Sequence, residues 1–316
     1  MMVSEIGLGT SPIGGTVWGK VDETEAAGAL ESAFELGVNF FDTADVYGHG
    51  RSEELIGRTF EGRRENVIIA TKGGLDFRRP GRARPNFEPE YLRGALENSL
   101  ARLRTDYVDV YLLHNPPQKL AKDERVWDAL ADLKVAGKIR SFGVSARTAN
   151  DALFYLRTAH GENDEHSRRY GDVVQVSYNM LDQEAATKGV FVEAARQDWG
   201  LVSRVPLASG MLSGKYSAGH YFPPDDFRGD WPAERLAETV RRVEALRFLA
   251  REGRTLAQTA IAFALSQEAA STVISGAKTA AQVEENVAAS DLAPLPDADL
   301  RAAQDLYERE SGAGLA

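Results

Sequence analysis

Short apolar runs rich in β-branched residues recur along the chain about every 30 residues, which is the spacing of strand–helix units. They fall at 6–9, 38–41, 67–70, 108–113, 139–144, 173–177, 201–205 and 272–275. Between them, apolar positions repeat with a helical period over 23–36, 52–60, 89–103, 124–136, 149–157, 186–198 and 256–266, and again over 280–289 after the last run. Strands that alternate with amphipathic helices eight times predict an α/β fold closed as a (β/α)8 TIM barrel. One such domain accounts for the whole of 1–316. Gly37 and Gly137 each stand between a helical pattern and a strand pattern, the position of a left-handed helix cap. Three stretches exceed what a minimal connection needs: 73–87, 214–232 and the tail from 291. They predict long loops at the C-terminal face and extra C-terminal helices, with 235–249 as an added helix. The Arg-rich loop 77–87 reads as a mobile lid.

Composition narrows the class. With 43% hydrophobic and 27% charged residues, 316 residues can bury a full core unaided. A formal charge of −10 repels a polyanion and argues against a nucleic-acid partner. The absence of cysteine excludes disulfides, thiolate nucleophiles and cysteine metal sites. No run is long and apolar enough to span a bilayer, and MMVSEIGLGT lacks the basic and apolar regions of an export leader. The expectation is a cytoplasmic protein off the membrane, and a monomer, since no helix shows a long uninterrupted apolar stripe.

In a barrel of this class the reactive groups stand at the C-terminal ends of the strands. There the chain offers Asp42 and Tyr47 (FFDTADVYG), Lys72 (ATKGG) and His114 (VYLLHNP). An ammonium beside a phenol stabilises the phenolate and makes the hydroxyl a better acid, and a carboxylate keeps a buried ammonium charged. A neutral imidazole can donate to a carbonyl oxygen and fix its position. Together these groups protonate a carbonyl oxygen. The hydride that completes a reduction must come from a cofactor, because no side chain donates one. Taken singly, the Asp–Lys pair reads equally well as a structural ion pair, and His114 as a core histidine. Four such groups on adjacent strand ends favour the chemical reading.

FFDTADVYGHGRSEELIG, ATKGG, DYVDVYLLHNP, GKIRSFGVS, VVQVSYN, VPLASGMLSGKY and TVISGAKTAAQVEEN resemble the aldo-keto reductase family in order and spacing, over nearly the whole chain. The resemblance implies Tyr47 as general acid, Lys72 and Asp42 as the groups that tune it, and His114 as the group that orients the substrate. It implies Ser145 and Gln175 as partners of a nicotinamide carboxamide, and Leu207, Ser209, Met211 and Lys215 near a pyrophosphate. Gly276 and Lys278 then resemble phosphate contacts, and Gln282, Glu285 and Asn286 adenosine contacts. Lys278 favours NADP(H) over NAD(H), because it can neutralise an additional phosphate. Two positions depart from the family pattern: Ala146 stands where an asparagine is usual, and Arg204 where an aromatic ring commonly stacks on the nicotinamide. The start at VSEIGLGT also lacks a preceding hairpin common in relatives.

The expected substrate is a small-molecule carbonyl compound, an aldehyde, ketone or open-chain sugar, with Trp18, Tyr47 and His114 as its contacts. Phe77 and the 222–231 insertion are further candidate walls. A second reading is a catalytically weak redox sensor of the same fold that acts through a protein partner. A metal-dependent hydrolase ranks third: His49, His114, His160, His166 and His220 show no paired ligand spacing, and no metal site is expected.

Overall fold

A computed structural model describes residues 1–15, 17–78, 83–158 and 171–313. Eight parallel strands close into a barrel: β1 (Ile6–Gly9), β2 (Phe40–Asp42), β3 (Ile68–Gly73), β4 (Val108–His114), β5 (Ile139–Ser145), β6 (Val173–Ser177), β7 (Gly200–Arg204) and β8 (Thr272–Gly276). Each strand pairs with its chain neighbours, and β8 closes on β1 with Ile6 beside Val273. Helices surround it in the expected alternation.

Local chemistry sets the ends of these elements. The Asp22 carboxylate accepts from the Thr24 and Glu25 amides at 2.8 and 3.0 Å, capping the helix Glu23–Glu35. That helix buries Ala26, Ala29, Leu30 and Ala33, one stripe at helical spacing. It ends at Gly37, where the Gly37 and Val38 amides donate back to Phe34 and Ala33; Gly137 and Lys138 repeat the arrangement on Lys134 and Leu133.

Side chains alternate in and out along each strand, so residues two apart share a face. Phe40, Ala70, Val110, Leu112, Val202 and Ile274 form a dry cluster of their own. Two residues further along their strands stand Asp42, Lys72, His114, Arg204 and Gly276. The layer directly above the apolar cluster is therefore the polar layer. A larger cluster, with Trp127, Tyr111 and Phe263 among its fully buried members, packs the helices on the outside of the strands.

Three expectations change in detail. Strands reach further than their apolar runs, to Asp42, Gly73, His114, Ser145 and Gly276, because their last residues are polar yet still paired. The segment 186–198 is not one helix: Glu184–Thr187 and Val190–Arg196 are separated at Gly189, whose φ of 82° breaks the helical path. Within the Arg-rich loop, Leu75–Asp76 and Arg84–Pro85 pair as an antiparallel ribbon, and buried Phe87 ties its end into the core. Residues 79–82 of that loop, and His160 and His166, lie outside the described residues. The tail carries the helix Asp297–Ala313, and the added helix spans Ala233–Leu246.

Candidate active site

At the C-terminal end of the barrel the Lys72 ammonium is fully buried, donating to Asp42 Oδ1 at 2.6 Å and to the Thr43 carbonyl at 2.7 Å. The other Asp42 oxygen accepts from the Gln175 amide at 2.7 Å, and Gln175 Oε1 accepts from the Ser145 hydroxyl at 2.8 Å. Four of the residues anticipated from the sequence thus form one continuous chain across β2, β3, β5 and β6. Burial opposes the charged form of Lys72, but the Asp42 carboxylate and the Tyr47 oxygen together outweigh it and hold the ammonium above its ordinary value.

Tyr47 lies on the turn after β2. The loops after β1 and β2 touch backbone to backbone here: a Cβ on Gly48, at φ 62°, would sit 2.1 Å from the Gly14 carbonyl. Only glycine permits this approach, and it fixes the turn that carries Tyr47. The Lys72 ammonium is 5.1 Å from the centre of the Tyr47 ring, and the His114 ring stands edge-on to it at 6.0 Å. Burial, reinforced by Lys72 and Arg204, pushes His114 well below the usual histidine value, so its imidazole is neutral near pH 7. Its Nδ1 is buried with no partner.

Arg204, the last residue of β7, donates from Nη2 to the Ala146 carbonyl at 3.1 Å, while its Nε is buried without a partner. The two departures from the family pattern therefore meet. Burial lowers the guanidinium, but an arginine starts high enough to remain charged.

A cleft of about 660 Å³ runs outward from this layer. Asp42, Tyr47, Gln175 and Arg204 line it at the barrel, and Leu207, Ser209 and Lys215 line it along the loop after β7. Gly276, Lys278, Gln282, Glu285 and Asn286 line it at the head of the helix Ala280–Val287. The loop after β7 holds Val205, Ala208 and Ser209 at φ of 62°, 47° and 58°, a concentration of left-handed backbone typical of functional loops. Lys278 donates from its backbone to Gln282 Oε1 at 2.8 Å and from its ammonium to the Trp18 carbonyl. Burial lowers that ammonium below its ordinary value, against the opposing pull of Asp226.

Of the residues anticipated for binding, Met211, Ser145 and His114 are not among those that line the cleft: Met211 is 1% exposed and packs into the main core, and Ser145 is 2% exposed with its hydroxyl donated to Gln175. Trp18 lines the cleft and packs between Ser11 and a strap, 216–231, of which Tyr216 and Arg228 also line it. The Trp18 indole donates to Ser11 at 3.0 Å and meets Phe227 edge-on, and Gly19 donates to the Asp225 carbonyl. Phe77 stacks on His49. Sequence reading missed Arg228, which anchors the strap. It pairs with buried Asp226 at 2.6 Å, donates to the Ser209 carbonyl and the Tyr216 hydroxyl, and lies over Trp18, Tyr216 and Phe222. An insertion without periodicity gives no signal for such an anchor. Asp45 was missed too: it is 2% exposed, with one oxygen unpartnered, and burial followed by Glu53 pushes its carboxyl up to about 8. Among the described residues no group of three or more metal-type ligands converges, and no helix is long and apolar enough to cross a membrane.

Comparison with known proteins gives a consistent answer. The model of the "Aldo/keto reductase family" matches residues 5–308. The chain is 34% identical over 294 residues to "Aldo-keto reductase YhdN" of Bacillus subtilis, covering 89% of this chain and 83% of that one. It is 32% identical over 289 residues to "Probable voltage-gated potassium channel subunit beta" of Arabidopsis thaliana, covering 89% and 86%. Among solved structures, the holo form of the aldo-keto reductase AKR11C1 from Bacillus halodurans superimposes with a TM-score of 0.78 at 28% identity, covering 96% of this chain and 92% of that one.

Proposed function

The chain belongs to the aldo/keto reductase family, oxidoreductases that use a nicotinamide cofactor, and on that premise we propose that it reduces an aldehyde, ketone or open-chain sugar with NADPH. The observation that carries this reading is the buried Asp42–Lys72 pair beneath Tyr47 and His114, at the inner end of a cleft whose outer end holds Lys278. Tyr47 is assigned as the proton donor, Lys72 and Asp42 as the pair that supports it, and His114 as a neutral donor that positions the carbonyl oxygen.

The cofactor fits what is present. His114 Nδ1 and Arg204 Nε are buried polar atoms that still lack a partner, and the cleft is elongated, apolar in part and basic at its far end. When bound, the cofactor supplies the hydride. Ser145 and Gln175 are assigned to its carboxamide, Leu207, Ser209 and Lys215, with Met211 behind them in the core, to its pyrophosphate, Gly276 and Lys278 to phosphate, and Gln282, Glu285 and Asn286 to its adenosine. The NADP(H) preference rests on Lys278, whose ammonium donates to the neutral Trp18 carbonyl and regains charge stabilisation from an added phosphate. The strap contacts of Trp18 place it at the cleft's edge, where it can still wall the substrate. We further assign one domain to the whole chain, acting as a cytoplasmic monomer. The family match across 5–308 supports the single domain.

The test is NADPH consumption by purified protein over a panel of aldehydes, ketones and sugars, with Tyr47→Phe as control and NADH in parallel. Turnover that collapses in the variant while NADPH binding persists supports the assignment. Tight NADPH binding with no turnover on any carbonyl would favour the second reading, a redox sensor acting through a protein partner, toward which the similarity to the Arabidopsis channel subunit points.

A further inference from the structure

We propose that Arg204 makes this cleft discriminate between the two redox states of the nicotinamide, binding the reduced, uncharged ring in preference to the oxidised, cationic one. The inference rests on the cofactor reading above and adds a specificity to it.

The argument starts from where the ring must lie. Hydride transfer needs the donor carbon and the carbonyl carbon about 3–3.5 Å apart, and the carbonyl oxygen must reach the Tyr47 hydroxyl. The ring therefore occupies the part of the cleft bordered by Tyr47, Gln175 and Arg204. Arg204 borders that space. From the end of β7 its guanidinium reaches past the end of β6 to the Ala146 carbonyl just beyond β5, so it crosses the mouth of the strands that carry Ser145 and Gln175.

The charges around that space do not cancel. The Lys72 ammonium is matched by Asp42, whose second oxygen is already taken by Gln175. His114 is neutral. Asp182 is the remaining carboxylate acting on Arg204, but no ion pair joins the two, and the guanidinium donates to the neutral Ala146 carbonyl instead. A guanidinium without an ion-pair partner among the described residues, on a residue that lines the cleft, thus neighbours a ring that is neutral when reduced and carries a full positive charge when oxidised. In a desolvated cleft that difference is felt strongly, because the nearby field is little screened. The preference favours occupancy by reduced cofactor in a mixed pool and a weak hold on the oxidised product.

The experiment measures dissociation constants of four molecules, NADPH, NADP+, NADH and NAD+, by calorimetry on wild-type protein, Arg204→Met and Arg204→Lys. Wild type is expected to bind the reduced form at least about tenfold more tightly in both pairs, a difference of about 1.4 kcal/mol. The effect should be equal in the two pairs, because Arg204 acts on the ring and not on the phosphate. Arg204→Met should narrow the ratio toward unity chiefly by tightening the oxidised form, and Arg204→Lys, which keeps the charge, should preserve it. The wild-type ratio needs no variant to fold. Equal affinities for reduced and oxidised forms in wild type, with carbonyl reduction intact, overturn this inference alone, as does an unchanged ratio in a folded Arg204→Met. Binding of none of the four molecules overturns it together with the cofactor reading.

Discussion

Both ends of the barrel bury an aspartate against cations, and they do so differently. At the N-terminal end Asp109 on β4 is fully buried and accepts from the Ile69 amide at 2.9 Å, Arg64 at 2.7 Å and Arg140 at 2.8 Å. The two guanidiniums sandwich the Tyr107 ring at 4.2 and 4.4 Å and lead outward, with side chains 14% and 57% exposed. At the C-terminal end Asp42 meets a lysine with no exposure, under a cleft that leaves His114 Nδ1 and Arg204 Nε unpartnered. The lower site is a brace: its carboxylate is fully satisfied and Arg140 is relieved by water, while Arg64, whose Nε is itself buried without a partner, is held by the Val67 and Tyr107 carbonyls. The upper site keeps its charge sealed and its donors open. Neither ion pairing nor an unpartnered buried nitrogen marks a site by itself, since Arg64 Nε lacks a partner too; the cleft that Asp42, Tyr47 and Arg204 line marks the chemical one.

Removing the cations should separate the two. Lys72→Met leaves Asp42 as an uncompensated buried charge, an expected cost of about 3–5 kcal/mol. It should also lower turnover by about 10²–10⁴-fold, the range expected when general acid catalysis is lost. The double variant Asp42→Asn with Lys72→Met should recover most of the stability and none of the turnover. Asp109→Ala should cost comparable stability, read by urea denaturation, while the kcat of the remaining folded protein stays near wild type. A large kcat loss in Asp109→Ala would erase the distinction between brace and site.

Much of the upper site was legible because strand periodicity and strand position both bear on it. Asp42, Lys72, His114 and Arg204 each follow an inward apolar residue by two positions, so a pattern of period two that turns polar at the strand end already places them together. The barrel itself was legible for the same reason, from repetition of one local unit. What failed was non-periodic. The ribbon in 75–85 is a two-residue pairing within one loop, too short to show alternation, and the Arg228 anchor depends on a contact with the loop after β7, which no local propensity encodes. The division at Gly189 went unread because its flanks are apolar enough to continue one helical pattern. Ala146 and Arg204 were each visible as departures, but that one hydrogen-bonds the other is a tertiary fact.

Charge at the far end of the cleft gives a smaller effect. Lys278→Met should weaken NADPH about tenfold or more and NADH little, since a charge-assisted contact to the extra phosphate is lost and the ring end is untouched. Equal losses for both cofactors would remove Lys278 from the phosphate assignment.

Two buried acids and bases of the upper site should then tilt stability with pH in opposite senses. His114 titrates far lower in the fold than in the unfolded chain, so its contribution is complete above about pH 6.5. It should decline below that by up to about 1.4 kcal/mol per pH unit, as the unfolded state alone takes up a proton. Asp45 has the opposite sign, because its folded value of about 8 lies above its ordinary 3.8. Stability from the proton it retains is complete below about pH 4 and is lost as pH rises toward 8. Denaturation across pH 4.5–8.5 should show a flattened acid limb in His114→Gln and a flattened neutral limb in Asp45→Asn. The lower site supplies the control and the smallest effect. Arg140 is 57% exposed, so water already screens its bond to Asp109, and Arg140→Ala should cost under about 1 kcal/mol. Arg64, only 14% exposed and bonded also to the Val67 and Tyr107 carbonyls, should cost more when replaced by alanine. If the two substitutions cost the same, solvent relief is not what makes the lower aspartate a tolerant brace, and the contrast with Asp42 would have to be drawn from its cleft alone.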